Sequence, residues 1–357
     1  MKYAPIIIPT LCRFEHFKRL IESLKLNSCA KYTDVYVGID YPPIQRYRQG
    51  WEKICDYVDN GNFDEFASFN VVKHQSNLGA GGNTSALYKL ILGRYDSYIY
   101  SEDDNVFSPN FLEYMNKCLD AFENDPDVVM VSGYSYPIQW DVSAGASCLK
   151  QNVSASMWGT GFWINKQIQI NQYLQSGKML DDLDAVVKEK KYKRMIDASL
   201  REYVLAAVSP WRGGHRFLMN MSDIGMRAYL AVADKYAISP VISKVRNMGF
   251  DGSGIYCQTI NTELNGNTAG TYNYSQQSID ESTMFEVVQN TKDSMDENRV
   301  RLNRFDMRTP AQMRRTRLYL WLMTHIGVWA GKTCATILFP FDFGLRAFRK
   351  IWRTIRR

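Results

Sequence analysis

Histidine is scarce in this chain of 357 residues, which has only His16, His74, His215 and His325. They form no Ser-His-Asp order and no zinc-type spacing, so triad hydrolysis, haem attachment and zinc chemistry have no candidate. The seven cysteines (Cys12, Cys29, Cys55, Cys118, Cys148, Cys257 and Cys334) are odd in number and scattered, without a C-x-x-C pair. That excludes a disulfide framework or a zinc knuckle and fits a reducing cytoplasm. No basic-then-apolar leader is present before the first strand, so the globular part is expected not to be secreted. No glycine follows that strand, which runs into Pro9-Thr10-Leu11-Cys12-Arg13. The glycines further on match neither the P-loop nor the dinucleotide fingerprint.

What is present is a foldable core. At 45% hydrophobic and 13% aromatic residues, the chain is not disordered, and its length suits one large α/β unit with a C-terminal addition. The net charge of +6 is modest, but Arg346, Arg349, Lys350, Arg353, Arg356 and Arg357 crowd the tail from Arg346 onward without one acid. Such a run is attracted to anionic surfaces.

The chain centres on Ser97-Tyr98-Ile99-Tyr100-Ser101-Glu102-Asp103-Asp104-Asn105. Tyr98 to Tyr100 suit a buried strand, and three consecutive acids cannot continue into that core unpaired. They must leave at its carboxyl end, where ligands sit in open α/β sheets. Carboxylates there, with Asn105 beside them, suit a hard cation such as Mg²⁺ or Mn²⁺ that in turn holds a diphosphate. The same residues also suit a solvated turn before a helix starting near Ser108 and Pro109.

Around this stretch, strands and helices alternate. Strands are expected at Ala4 to Ile8, Val35 to Ile39, Asn70 to Lys73 and Val128 to Val131. Helices are expected through Phe14, Phe17, Leu20, Ile21 and Leu24, from Gln45 to Tyr57, through Leu87, Leu90 and Ile91, and from Pro109 to Glu123. That rhythm predicts a mostly parallel, doubly wound sheet. Gln75 to Asn83 includes Gly79, Gly81 and Gly82 at a helix start, a place where backbone amides favour an anion, or else a flexible connection. Beyond Gly133 the rhythm changes, and Trp140, Trp158, Trp163 and Trp211 fall among many Gly and Ser residues, which reads as an acceptor-side subdomain. His215, between Gly214 and Arg216, is a surface-loop residue or a neighbour of the acceptor. Tyr272 to Arg308 reads as a solvated connecting region. Leu318 to Phe339 is a marginal membrane span, and Phe341 to Arg357 interleaves aromatics with arginines as an interfacial helix does. The boundaries expected are 1–133, 134–270, 271–309 and 310–357.

The ordered set Arg13, Asp40, Glu102-Asp103-Asp104, Trp158-Gly159-Thr160-Gly161-Phe162, Ser222-Asp223-Ile224, Pro240-Val241-Ile242-Ser243 and Gly249 to Gly254 resembles the GT-A glycosyltransferases. N-acetylglucosaminyltransferase I and its bacterial relatives are the nearest pattern. The resemblance implies a GT-A, Rossmann-like sheet with Asp104 on the metal, Asp103 on the ribose, Glu102 on the donor sugar and Asp40 on the base. It also implies Arg13 near the diphosphate, Asn83 in the donor-binding set and Asp223 as catalytic base. The family's tryptophan beside that base is absent, and Ile224 and Gly225 stand there instead.

The chemistry fits that resemblance. Displacing a nucleoside diphosphate from an anomeric carbon needs charge stabilisation on the leaving phosphates and a base for the acceptor hydroxyl. The expected protein is a metal-dependent inverting glycosyltransferase using Mn²⁺ or Mg²⁺ and a nucleoside-diphosphate sugar, with a UDP-sugar foremost. Its expected acceptor is a lipid-linked glycan of bacterial surface polysaccharide. It is expected in the cytoplasm, at the inner face of the plasma membrane through its tail, with no nucleic-acid partner. The alternatives are a nucleotidyltransferase acting on sugar phosphates and a non-catalytic glycan-binding assembly subunit.

Overall fold

The computed structural model describes residues 2–208, 218–254, 272–305 and 310–338. The first half alternates as expected, through β1 (Ile6–Thr10), α1 (Phe14–Lys25), β2 (Asp34–Ile39), α2 (Arg48–Asn60), β3 (Ser68–Lys73), α3 (Gly79–Ile91) and β4 (Ser97–Tyr100). It continues through β5 (Asn105–Phe107), α4 (Phe111–Ala121), β6 (Val128–Ser132), β7 (Cys148–Gln151), β8 (Thr160–Trp163) and α5 (Ile164–Gln175). Then come α6 (Met179–Lys188), α7 (Asp197–Val208), α8 (Asp223–Val232), β9 (Tyr236–Pro240), β10 (Val245–Asn247), α9 (Met295–Phe305) and α10 (Pro310–His325).

Continuous apolar runs make the strands central. Ile6, Ile7 and Ile8 are fully buried, as expected of a strand covered on both faces. Phe17, Leu20, Ile21 and Leu24 recur on one face of α1 and bury it against the same core. The 8-stranded sheet has the order β3-β2-β1-β4-β8-β6-β9-β7, and β10 pairs with β5 separately. Within it β2 lies parallel to β1 and β3, β1 parallel to β4, and β6 parallel to β9. Only β8 and β7 run against their neighbours. The α/β class and the mostly parallel, doubly wound sheet are thus as expected.

The chain forms two compact units that interleave in sequence, whereas the expected boundaries presumed consecutive segments. The first unit holds the described residues up to Gln169, from Lys235 to Gly254, and Tyr272–Ser294, including the whole sheet. The second, Ile170–Asp234 and the described residues from Met295, is helical. Tyr203, Leu183, Met226 and Tyr319 are buried in it.

Residues 272–294 depart from the solvated connection expected of so polar a stretch. Phe285 is buried edge-on to Tyr114, and Lys117 Nζ donates to its carbonyl at 2.6 Å. Lys244, only 2% exposed, is paired with Asp280, which also accepts from Asn110 Nδ2 at 3.0 Å. Burial works against the Asp280 charge, but Asn110, Lys244 and Ser282 outweigh it and hold the carboxyl well below its usual range. Much of the segment is exposed, but Phe285, Asp280, Gln277 and Ser294 are held by internal partners, which composition cannot reveal.

Asp280→Ala leaves the Lys244 ammonium buried without its carboxylate. We expect about 3–5 kcal/mol of lost stability in urea unfolding at neutral pH, the usual cost of removing one partner of a buried pair. Because the folded pKa of Asp280 is depressed, its contribution is complete above the unfolded value of about 3.9 and fades as pH falls through the folded one. The variant should lack that part of the acid limb.

Candidate active site

Chain order reverses beside β1. Its successors β2 and β3 extend the sheet on one side, while β4 lies on the other, so the switch point falls between β1 and β4. Ligands of open α/β sheets bind in the crevice outside the carboxyl ends of the strands at such a point. Thr10 closes β1 there and Arg13 follows it, and Glu102, Asp103 and Asp104 follow β4 before β5 begins.

Arg13 lies across both aspartates. One guanidinium nitrogen, Nη2, donates to Asp103 Oδ1, and Nη1 lies 2.8 Å from Asp104 Oδ2. Thr10 Oγ1 donates to Asp103 Oδ2 at 2.8 Å, and Asn247 Nδ2 to Asp104 Oδ1 at 2.8 Å. Asp103 and Asp104 are 6% and 4% exposed, more enclosed than an acidic strand end implies. Burial pushes the Asp104 carboxyl up, and Arg13 offsets this only in part. For Arg13, burial is outweighed by the two carboxylates, which hold it protonated beyond its ordinary range. Glu102 is half-buried at the mouth of the same turn.

The segment after β10 lies against this cluster. Met248 N donates to the Asp104 carbonyl at 2.8 Å. A Cβ on Gly249 would stand 2.0 Å from Asp104 Oδ2, so only glycine lets the backbone approach so closely. Two residues on, Asp251 Oδ2 meets His16 Nε2 at 2.9 Å, tying the segment to the first turn of α1. Desolvation of Asp251 is outweighed by hydrogen bonds from Ser253 and by His16, and its carboxyl drops to about 2. Thr10, His16 and Asn247 were not singled out from sequence, and Gly249 entered only as the start of the run Gly249 to Gly254 that carries part of the resemblance.

Asp40 and Asn83 serve the scaffold. Asp40 Oδ1 accepts from the amides of Tyr41 and Leu78 at 2.9 and 2.8 Å, and Oδ2 from the Gly79 amide and Asn77 Nδ2, both at 2.9 Å. A carboxylate offers about four acceptor positions, and all are filled. Contact with a base would require Asp40 to release the start of α3. The amides of that glycine-rich helix start do hold an anion, as expected, but it is the chain's own. Asn83 Nδ2 donates to the carbonyls of Gly38 at 2.8 Å and Thr10 at 3.3 Å, and its Oδ1 meets His74 Nε2 at 3.0 Å. It fastens α3 across the ends of β1 and β2, with no donor left for a cofactor.

Asp223 is the first residue of α8, in the second unit, behind the N-cap Ser222, whose hydroxyl accepts from Gly225 N at 3.2 Å. An acid is favoured at that position by the helix dipole alone. Trp140 and Trp163 are buried with bonded indoles, donating to Ser135 Oγ at 2.8 Å and to the Leu119 carbonyl at 3.0 Å. Trp158 is half-buried among Tyr134, Phe250 and Tyr274. Trp211, His215 and Cys257 lie outside the described residues.

Among the described residues no three His, Cys, Asp or Glu side chains converge as a metal group. Two adjacent carboxylates fit a Mg²⁺ or Mn²⁺ that completes its shell with diphosphate oxygens and water. They do not fit a cation caged by protein alone.

No protein-family model and no curated protein matches the chain. Solved structures similar to part of it include S. aureus TarS, 14% identical over 44% of this chain and 28% of that one, with a TM-score of 0.32. Another is the mannosyltransferase PcManGT of Pyrobaculum calidifontis in complex with GDP-Man and Mn²⁺, at 13% identity over 46% and 45% and a TM-score of 0.33. A third is the glycosyltransferase GlyE of Streptococcus pneumoniae TIGR4, at 12% identity over 49% and 38% and a TM-score of 0.27. The chain spans less than half the length of each of these structures. Likeness at this level leaves the site to be read from its own residues.

Asp40→Ala should free the first turn of α3. We expect a loss of about 1–3 kcal/mol, the scale of a helix cap and of buried amides left unpaired. Hydrogen exchange should quicken at Leu78 and Gly79 while the amides of β1 and β2 stay protected.

Proposed function

We propose that this chain is a GT-A-type inverting glycosyltransferase that moves a sugar from a nucleoside diphosphate to an acceptor hydroxyl. One observation carries the reading: a half-buried guanidinium bridging two buried carboxylates, at the switch point of a mostly parallel sheet. A sheet needs no such cluster for its own stability, since burying charges is costly even when they are paired. The crevice beside it is where a nucleotide fits such a fold.

In this reading Arg13 presents a planar fork to the diphosphate oxygens, a match of geometry as well as charge. As it turns to the phosphates, Asp104 becomes free to hold Mn²⁺ or Mg²⁺, while Asp103 receives the ribose and Glu102 the sugar. The cation supplies Lewis-acid stabilisation of the leaving diphosphate. Gly249 lets the backbone pack closely against Asp104, and the His16–Asp251 pair holds that segment down. Asp223 takes the acceptor proton, and inversion follows from attack opposite the leaving group. A UDP-sugar donor, a lipid-linked glycan acceptor of bacterial surface polysaccharide, and attachment to the inner membrane face complete the proposal. The tail assigned to that attachment, Phe341 to Arg357, lies outside the described residues.

Asp104→Asn keeps the side-chain shape and removes the charge. Calorimetry with nucleoside diphosphates should show Mn²⁺-dependent binding in the native protein and none of that dependence in the variant. Unchanged metal dependence, or synthesis of a nucleotide sugar from sugar phosphate and nucleoside triphosphate, would overturn the assignment.

Asp223→Asn should keep donor affinity and slow transfer by roughly two orders of magnitude, the scale of general-base removal. Donor binding and transfer measured on one preparation separate the two effects. Near-normal turnover would remove Asp223 from the reaction.

A further inference from the structure

The second unit ends its described residues in a helical hairpin, α10 followed by a helix over 328–338. Its inner side is firmly seated. Tyr319, Leu320, Met323 and Ala335 are buried, and Lys332 Nζ reaches Asp184 Oδ2 at 2.7 Å while Tyr203 donates to the other oxygen of the same carboxylate. A Cβ on Gly331 would lie 2.5 Å from the Tyr319 carbonyl, so the two helix backbones touch there.

The outer side has the opposite character. Arg314, Arg317, Leu318, Trp321 and His325 are exposed along one stripe of α10 at helical spacing. Trp321 is 52% exposed, Ile326 56%, Trp329 69% and Ile337 67%. Trp321 stacks on His325 at 5.0 Å, and the Trp329 indole lies against Gly327, so the aromatics gather at the turn of the hairpin. From Pro310 to Leu338 the sequence has Arg314, Arg315, Arg317 and Lys332 but not one acid.

We propose that this outer face is a docking surface for an anionic lipid bilayer. Two indoles more than half exposed on a pinned element leave apolar area in water that burial would relieve. Tryptophan prefers the membrane interface, being apolar in body and polar at one edge. The arginines beside it suit anionic headgroups, each adding attraction near a negatively charged leaflet. A second copy of the chain fits less well, because an isologous dimer would bring these arginines against their own copies. Among the described residues no helix is long and apolar enough to cross a membrane, so the hairpin lies in the interface. The proposal rests on residues up to Leu338 and does not depend on the donor-site reading.

The test uses the full chain with vesicles of phosphatidylcholine alone and of phosphatidylcholine with phosphatidylglycerol, at low and high salt. The native protein should sediment with the anionic vesicles, less so at high salt, and brominated acyl chains should quench its tryptophan emission. The double substitution Trp321→Ser with Trp329→Ser should weaken partitioning by roughly tenfold or more, since binding scales with buried apolar area. Its thermal unfolding should be unchanged, as both side chains are exposed. Undiminished vesicle binding by that variant would assign the attachment to other residues and overturn the proposal. So would equal binding to neutral vesicles, or a concentration-dependent dimer that the substitutions abolish while vesicle binding stays absent. Absence of bromolipid quenching in the native protein overturns it without any variant.

Discussion

Two aspartates cannot be withdrawn from water side by side unless a cation joins them, and here Arg13 is that cation. The local structure follows from this one requirement. Arg13 must leave β1 at a point where its guanidinium spans the turn after β4, so the two strands must be neighbours with their carboxyl ends level. Thr10 and Asn247 each bond the carboxylate oxygen that Arg13 leaves, which draws β10 and the segment after it over the turn. Gly249 is a consequence, since any larger residue would enter the Asp104 carboxylate. In the proposed reading a ligand with phosphate oxygens competes for Arg13, so that binding and rearrangement of this cluster become one event.

The neighbouring helix start obeys the same rule with a different result. Amides at the beginning of α3 need acceptors, and Asp40 satisfies them from the end of β2. Asn83 then fastens the helix across β1 and β2. Elsewhere Lys166 caps α4 by donating to the carbonyls of Phe122, Asp125 and Val128 while its ammonium lies over the Trp163 ring at 4.0 Å. Polar residues enclosed by this sheet are therefore divided between those that complete the scaffold and those that meet at the switch point. Separating them takes partner geometry, because residue type is the same in both groups.

The helical unit is organised around Asp184 in a comparable way, with Tyr203 and Lys332 converging on its carboxylate. That half-buried contact, with the close approach at Gly331, holds the hairpin with its exposed basic and aromatic residues on the outer side. The exposed indoles thus belong to a held surface, and the charge pattern around them is uniform in sign.

Periodicity in the sequence was sufficient for the α/β class, for the alternation up to β6 and for the acidic strand end, because buried strands and one-sided helices leave local patterns that survive without knowledge of partners. It also drew attention to Glu102, Asp103 and Asp104, since acids after an apolar strand have few places to go, whereas Arg13 came only with the family resemblance. It did not foresee that Asp280 and Phe285 of Tyr272–Ser294 are held against Lys244 and Tyr114, nor that Asp40 bonds the start of α3 and Asn83 the ends of β1 and β2. Tertiary structure alone brought Asn247, Gly249 and the His16–Asp251 pair to Asp104, across more than 140 residues in one case and more than 230 in another. Contacts at such separation depend on strand order, a property of the whole fold that no local run of residues carries.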